Sequence, residues 1–160
     1  MNRLVKVTLA FALVSGFALC AQSVRSATST LQDPTKQTPP SPVKVMREYK
    51  GVKLGLAREE VHKELGNPAT TSDNTEDFTL PGDNAMTVYY ENGEVKALQI
   101  SFLDAKSAPA MKDVVGETAE VTHMDNGATH ARMNVSAEKF WVSYYRSKDG
   151  AMTQVTISRQ

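Results

Sequence analysis

Gly-Leu-Ala-Arg-Glu-Glu-Val-His-Lys-Glu-Leu-Gly-Asn-Pro, residues 55–68, reads as one short amphipathic helix with its stop signal written after it. Val61 and Leu65 stand four apart and share a face, Leu56 can close over the first turn, and Arg58, Glu59, Lys63 and Glu64 fall largely elsewhere. His62 falls at the boundary of the apolar face. Gly66 supplies a left-handed residue that ends the helix, and Pro68 forbids its continuation. The stretch decides the fold because a second one answers it. Residues 109–116 form another helix candidate ending in Gly116, with Met111 and Val115 in the places of Val61 and Leu65.

Each helix candidate is followed by a hairpin. Tyr89-Tyr90-Glu91-Asn92-Gly93-Glu94 leads into residues 95–102, and Asn-Gly supplies the positive φ angles of a tight turn between alternating runs. Tyr144-Tyr145-Arg146-Ser147-Lys148-Asp149-Gly150 leads into residues 151–159 in the same way. Both hairpins carry a double tyrosine on the way in and an apolar-x-apolar-Ser ending, Leu98-Gln99-Ile100-Ser101 against Val155-Thr156-Ile157-Ser158. Each copy has room for one further strand, at residues 77–80 before the Pro81-Gly82 turn and at 129–135. The expected fold class is α+β: two tandem helix-plus-antiparallel-strand repeats of about 50 to 55 residues forming one sheet with helices on one face. The copies span residues 47–104 and 105–160 of a single domain, 47–160.

The 160 residues include a start that does not belong to that domain. Asn2, Arg3 and Lys6 make a short basic region, then a largely apolar run reaches Leu19, and small residues follow up to Ser23. This is the layout of a secretory signal peptide over residues 1–23 and is short for a membrane span. Cleavage after Cys20 or Ser23 satisfies the small-residue rule, and Ser23 is the expected site. Cys20 is the only cysteine, so no internal disulfide forms. Its place at the end of the apolar run leaves acylation open as a second fate. Phe17-Ala18-Leu19 before it lacks the aliphatic and small residues that lipidation sites usually place there. Residues 24–46 are rich in Ser, Thr, Gln and Pro, cannot bury enough surface to offset ordering, and read as a disordered linker. Removing Arg3 and Lys6 leaves 16 basic residues against 18 acidic ones, a balance that argues neither for nucleic acid nor for an anionic membrane surface.

Regular pairing across the hairpins assigns the sheet faces. Phe140, Val142 and Tyr144 join Val155 and Ile157 on an apolar face, and Thr87 and Tyr89 join Leu98, Ile100 and Phe102 there. The opposite face then carries Trp141, Ser143, Tyr145, Met152, Gln154 and Thr156 in one copy and Met86, Val88, Tyr90 and Ala97 in the other. Aromatic and uncharged polar residues with Met are the composition of protein recognition surfaces. Val88, Tyr90, Trp141, Ser143, Tyr145 and Gln154 are the candidate protein-binding residues. The same composition also fits a second small core covered by loops or by residues 43–49.

Residues 55–68 resemble the Gly-Met-Thr-x-x-x-Val-x-x-x-Leu-Gly-x-Pro signature of the BamE (SmpA/OmlA) family of outer-membrane assembly lipoproteins, and the related repeat of the β-lactamase inhibitory protein fold. The resemblance implies a tandem helix-and-sheet architecture. In the inhibitor fold the joined sheet is concave and binds a protein. Ala57 stands where the family usually has a capping Thr, which removes one side-chain acceptor worth about 1 kcal/mol.

No Gly-x-Ser-x-Gly, His-Glu-x-x-His, phosphate-binding Gly-rich loop or Cys pair occurs, so no enzyme class is indicated and neither a cofactor nor a metal is expected. His123 and His130 flank Asp125, and Asp73, Glu76 and Asp77 cluster. Both groups read as solvated loops rather than metal sites. The expected function is an exported, periplasmic or extracellular, non-enzymatic module that binds a protein partner through the helix-free sheet face. The alternative is a BamE-like outer-membrane assembly or envelope maintenance factor, with membrane attachment only through a lipidated Cys20.

Overall fold

Two glycines with the same uncommon backbone geometry stop the two helices. The computed structural model describes residues 43–104 and 106–160, so the signal segment, Cys20 and the linker up to residue 42 lie outside the described residues. α1 spans Arg58–Leu65 and α2 spans Met111–Val115. Gly66 has φ 83 and ψ −155, and Gly116 has φ 80 and ψ 171. The expected left-handed φ is present at Gly66, but ψ is extended, which places both residues in a region that only glycine occupies without strain. Each cap N–H donates back four residues, to the carbonyls of His62 and Lys112. At the start of α1 Ala57 offers no side-chain acceptor, as its identity dictates. The Glu60 carboxylate instead accepts the Ala57 N–H at 3.1 Å, half of a capping box.

The strands are β1 (Glu48–Tyr49), β2 (Val52–Lys53), β3 (Thr70–Ser72), β4 (Thr75–Leu80), β5 (Asn84–Glu91), β6 (Glu94–Phe102), β7 (Glu120–His123), β8 (Thr129–Val135), β9 (Phe140–Arg146) and β10 (Thr153–Arg159). The class is α+β. β1 and β2 form a small hairpin, and the other eight strands make one antiparallel sheet in the order β3-β4-β5-β6-β10-β9-β8-β7. Each half of the sheet is a four-stranded meander preceded by a helix, and the last strands of the two meanders, β6 and β10, pair with each other. Local sequence pattern accounts for three strands in each half. The missed ones, β3 and β7, are exposed edge strands of three and four residues, with Val121 as their one apolar side chain and so no alternation to read.

The two hairpins differ. Asn92 and Gly93 take φ 54 and 81, the positive pair that a two-residue turn needs. Between β9 and β10 the chain makes a longer loop through residues 147–152. There the Ser147 hydroxyl and the Ala151 N–H both donate to Asp149 Oδ1, at 2.7 and 3.1 Å.

One side of the sheet carries the core. Phe78, Leu80, Met86, Val88, Val95, Leu98, Ile100, Phe102, Val142, Val155 and Ile157 are buried together with Val61 of α1 and Val114 and Val115 of α2. The entering chain joins the same cluster. Val45 is buried in it, inside the stretch read as linker, and the Met46 N–H donates to the Val114 carbonyl at 2.9 Å. Residues 43–49 therefore do not cover the other side of the sheet. The Tyr49 ring meets Phe102 edge-on at 5.7 Å.

A polar cluster lies under α1. Glu76 of β4 is 1% exposed, in phase with Phe78 and Leu80. Its Oε2 accepts the Tyr90 hydroxyl at 2.7 Å and lies 2.9 Å from His62 Nε2. The Arg58 guanidinium sits over the Tyr90 ring at 4.4 Å and places Nε 3.8 Å from Glu76 Oε1. A buried carboxylate needs such partners because losing one strands a charge away from water. Burial, reinforced by the hydrogen bond to Glu76, holds the Tyr90 phenol well above its ordinary value of 10.0.

Two outcomes follow. Gly66→Ala leaves open space for its Cβ, so its cost is purely conformational, about 1 to 3 kcal/mol in urea unfolding. Tyr90→Phe costs about 1.5 to 3 kcal/mol at neutral pH, as expected for a hydrogen bond to a charged group. Above pH 10 the unfolded chain releases the tyrosine proton while the native chain retains it. Wild-type stability therefore falls as pH rises past that point, and Tyr90→Phe flattens the fall in denaturation curves recorded against pH.

Candidate protein-recognition face

Side chains alternate along each strand, so every strand of the large sheet that adds a residue to the core sends its neighbour to the opposite, open side. Register lines these neighbours into three rows across the sheet. The first runs Thr122, His130, Tyr145, Gln154, Ser101, Ala85, Thr79. The second runs Glu120, Arg132, Ser143, Thr156, Gln99, Thr87, Asp77, Thr70. The third runs Asn134, Trp141, Ser158, Ala97, Tyr89, Thr75, Ser72. None of these residues is buried. On the four central strands the three rows hold no charged residue; beyond the third row the ion pair of Lys96 on β6 and Glu91 on β5 stands on the same side, and on the flanking strands charge enters through Asp77 on one side and Arg132 and Glu120 on the other.

Four of the six sequence-predicted residues stand on this side: Trp141, Ser143, Tyr145 and Gln154, all half-buried. The other two do not. Val88 is 0% exposed and Tyr90 4%, both on the core side, and Met86 goes with them. The cause is a β-bulge. Tyr90 pairs with Val95 next to the turn, but Tyr89 pairs with Ala97, so Lys96 is an extra residue and the ladder beyond it changes phase. Regular pairing would set Thr87 opposite Leu98; the bulge sets Val88 there. Thr87 and Tyr89, expected in the core, are on the open side instead. The signal was present in β5 itself, where Met86 and Val88 alternate with Ala85 and Thr87. The matching of double tyrosines fails for the same reason, because the buried members are Tyr90 and Tyr144, the second of one pair and the first of the other.

Tyr89, 37% exposed, is thus the aromatic of the first half that the open side presents. It flanks a shallow depression of about 390 Å³ shared with Lys96, Ala97, Trp141, Thr156 and Ser158. The Arg132 guanidinium lies over the Trp141 ring at 4.1 Å, and its Nε donates to Asn134 Oδ1 at 3.3 Å, which fixes the indole between a cation and the depression. Asp77 Oδ1 accepts the Thr87 hydroxyl at 2.7 Å. Aromatic rings held by neighbours and surrounded by hydroxyls and amides offer contact area with adaptable hydrogen bonding.

The sequence-predicted loop clusters dissolve into strands. Glu76 and Asp77 are consecutive in β4 and point to opposite sides, so they cannot share a ligand. His123 sits opposite Thr129 and His130 opposite Thr122, which also sends the two imidazoles to opposite sides of the sheet. Among the described residues no group of three or more His, Cys, Asp or Glu is gathered as a metal site would require. Sequence reasoning missed the Glu76 cluster, whose signal was the alternation of Glu76 with Phe78 and Leu80.

No protein-family model matches the chain, and no curated protein matches it. Among solved structures the chain is similar to the crystal structure of a DUF4309 family protein, YjgB of Bacillus subtilis, with 10% sequence identity and a TM-score of 0.45 over 73% of this chain and 88% of that one. The reading of the open side therefore rests on its own residues.

Proposed function

We propose that the chain is an exported, non-enzymatic protein-binding module that recognises a protein partner through the open side of its sheet. The observation that carries the reading is the composition of that side: three rows of unburied side chains on β5, β6, β10 and β9, mostly Trp, Tyr, Gln, Ser and Thr and none of them charged, with the Lys96–Glu91 ion pair beyond the third row, where a merely solvated face would carry charge throughout. On this reading the domain is two copies of one unit, each a helix and a four-stranded meander, with both helices on the core side. The mirrored strand order and the shared Ala start and Gly stop of α1 and α2 support the duplication. The tandem layout of the inhibitor fold that residues 55–68 resemble supports it also.

A pull-down from envelope extract tests the face. Wild type captures a protein partner, and the Trp141→Ala, Tyr145→Ala double variant loses about 2 kcal/mol or more of affinity, roughly thirtyfold, as truncated aromatic anchors do. Equal capture by both sinks the face. Mass spectrometry of the exported chain tests the compartment: the mature N-terminus lies beyond Ser23. A retained, acylated Cys20 would instead move the reading to a BamE-like envelope assembly factor.

A further inference from the structure

The middle row of the open side carries opposite charges at matching places. Asp77 on β4 and Arg132 on β8 are each third from the β6–β10 seam, and the four residues between them are uncharged. Neither makes an ion pair among the described residues; Asp77 is held by Thr87, and Arg132 rests on Trp141 although Glu120 stands across the ladder from it. In the adjacent row Trp141 and Tyr89 are each second from the same seam, and Lys96 beside them on β6 is neutralised by Glu91 of its own chain at 2.7 Å.

From this placement we infer that the partner of the open side is a second copy of this chain, the two sheets stacking open side to open side about a two-fold axis that runs along the β6–β10 seam. The inference rests on the reading of that side as a protein-recognition face. A half-turn about such an axis keeps each row over itself and exchanges the two halves of the sheet. Arg132 of each copy then lies over Asp77 of the other, twice per dimer, and Trp141 of each lies over Tyr89 of the other. An unlike partner would have to supply its own matching charges. A self-complementary patch is what an isologous two-fold contact requires. Sheets stacked face to face stand about 10 Å apart, a gap that an Arg and an Asp side chain reaching from opposite sides can close. With strands about 4.8 Å apart, the three rows over seven or eight strands cover roughly 35 to 40 by 20 Å, near the ~800 Å² per partner of a stable interface.

Sedimentation equilibrium of the exported chain at micromolar concentration tests the inference. Wild type sediments as a dimer. Asp77→Arg and Arg132→Asp, each alone, sediment as monomers with unchanged circular dichroism, because each sets like charges opposite each other at both ends. An equimolar mixture of the two variants recovers a dimer, because every pair across the interface is then attractive. Arg132→Gln, a change on an exposed side chain that leaves the core untouched, weakens the dimer about tenfold if Asp77→Arg proves unstable. A monomeric wild type, single variants that stay dimeric, or folded variants that fail to reassociate on mixing each overturn the inference. The fate of the recognition face is decided separately. A monomer that still captures a different protein in a Trp141-dependent manner leaves that reading standing, and a monomer that captures nothing removes both.

Discussion

The extra residue at Lys96 keeps two neighbouring strands in phase, and the one-sided core depends on it. In an antiparallel sheet a shift of one residue exchanges every side chain between the two sides. Without the bulge, Leu98, Ile100 and Phe102 on β6 would face inward while Met86, Val88 and Tyr90 on β5 faced out. Fully burying an apolar side chain of that size is worth about 1.5 to 3 kcal/mol, so a strand in the wrong phase forfeits several such contributions at once. The tight Asn92-Gly93 turn and the hydrophobic pattern therefore conflict by one position, and the ladder resolves the conflict by leaving Lys96 unpaired. Its ammonium meets Glu91 at 2.7 Å at the edge of the depression that Tyr89 and Trp141 flank.

The same phase decides what the open side shows. Tyr90 goes down to Glu76 and Tyr89 comes up beside Trp141, so two consecutive tyrosines serve unrelated ends. The cluster under α1 and the row above it share strands β4 and β5. Glu76 anchors the helix from below while Asp77 faces outward, and Thr87 steadies Asp77 between Val88 and Met86, which fill the core. The rigidity of the outward side chains thus derives from the packing of their inward neighbours, which is the condition for presenting aromatic groups at little entropic cost.

Much of this was legible in the residues. The helix at residues 55–68 and its glycine stop, the Asn-Gly hairpin and the inward set Phe140, Val142, Tyr144, Val155 and Ile157 are each written as local patterns with a physical cause. Three things were not. β3 and β7 hold one apolar residue between them, Val121, and take their form from the ladder that a neighbouring strand offers. The bulge is a compromise between two local signals that are each correct, and pairing from the turn outward followed the weaker one. Glu76 looked like part of an acidic loop because a buried carboxylate is recognised by its partners, and Arg58, His62 and Tyr90 come from other elements.

The β6–β10 ladder also has a temporal meaning. Every other ladder joins consecutive strands, whereas this one joins residues separated by 51 to 61 positions, from Phe102 with Thr153 to Ala97 with Ser158. Local contacts close quickly and distant ones slowly, since the chain between them must first be confined. Of all the ladders, the β6–β10 union therefore demands the most chain confinement as the domain folds. Until it forms, each meander exposes β6 or β10 as a bare edge, the species most open to pairing with the wrong chain.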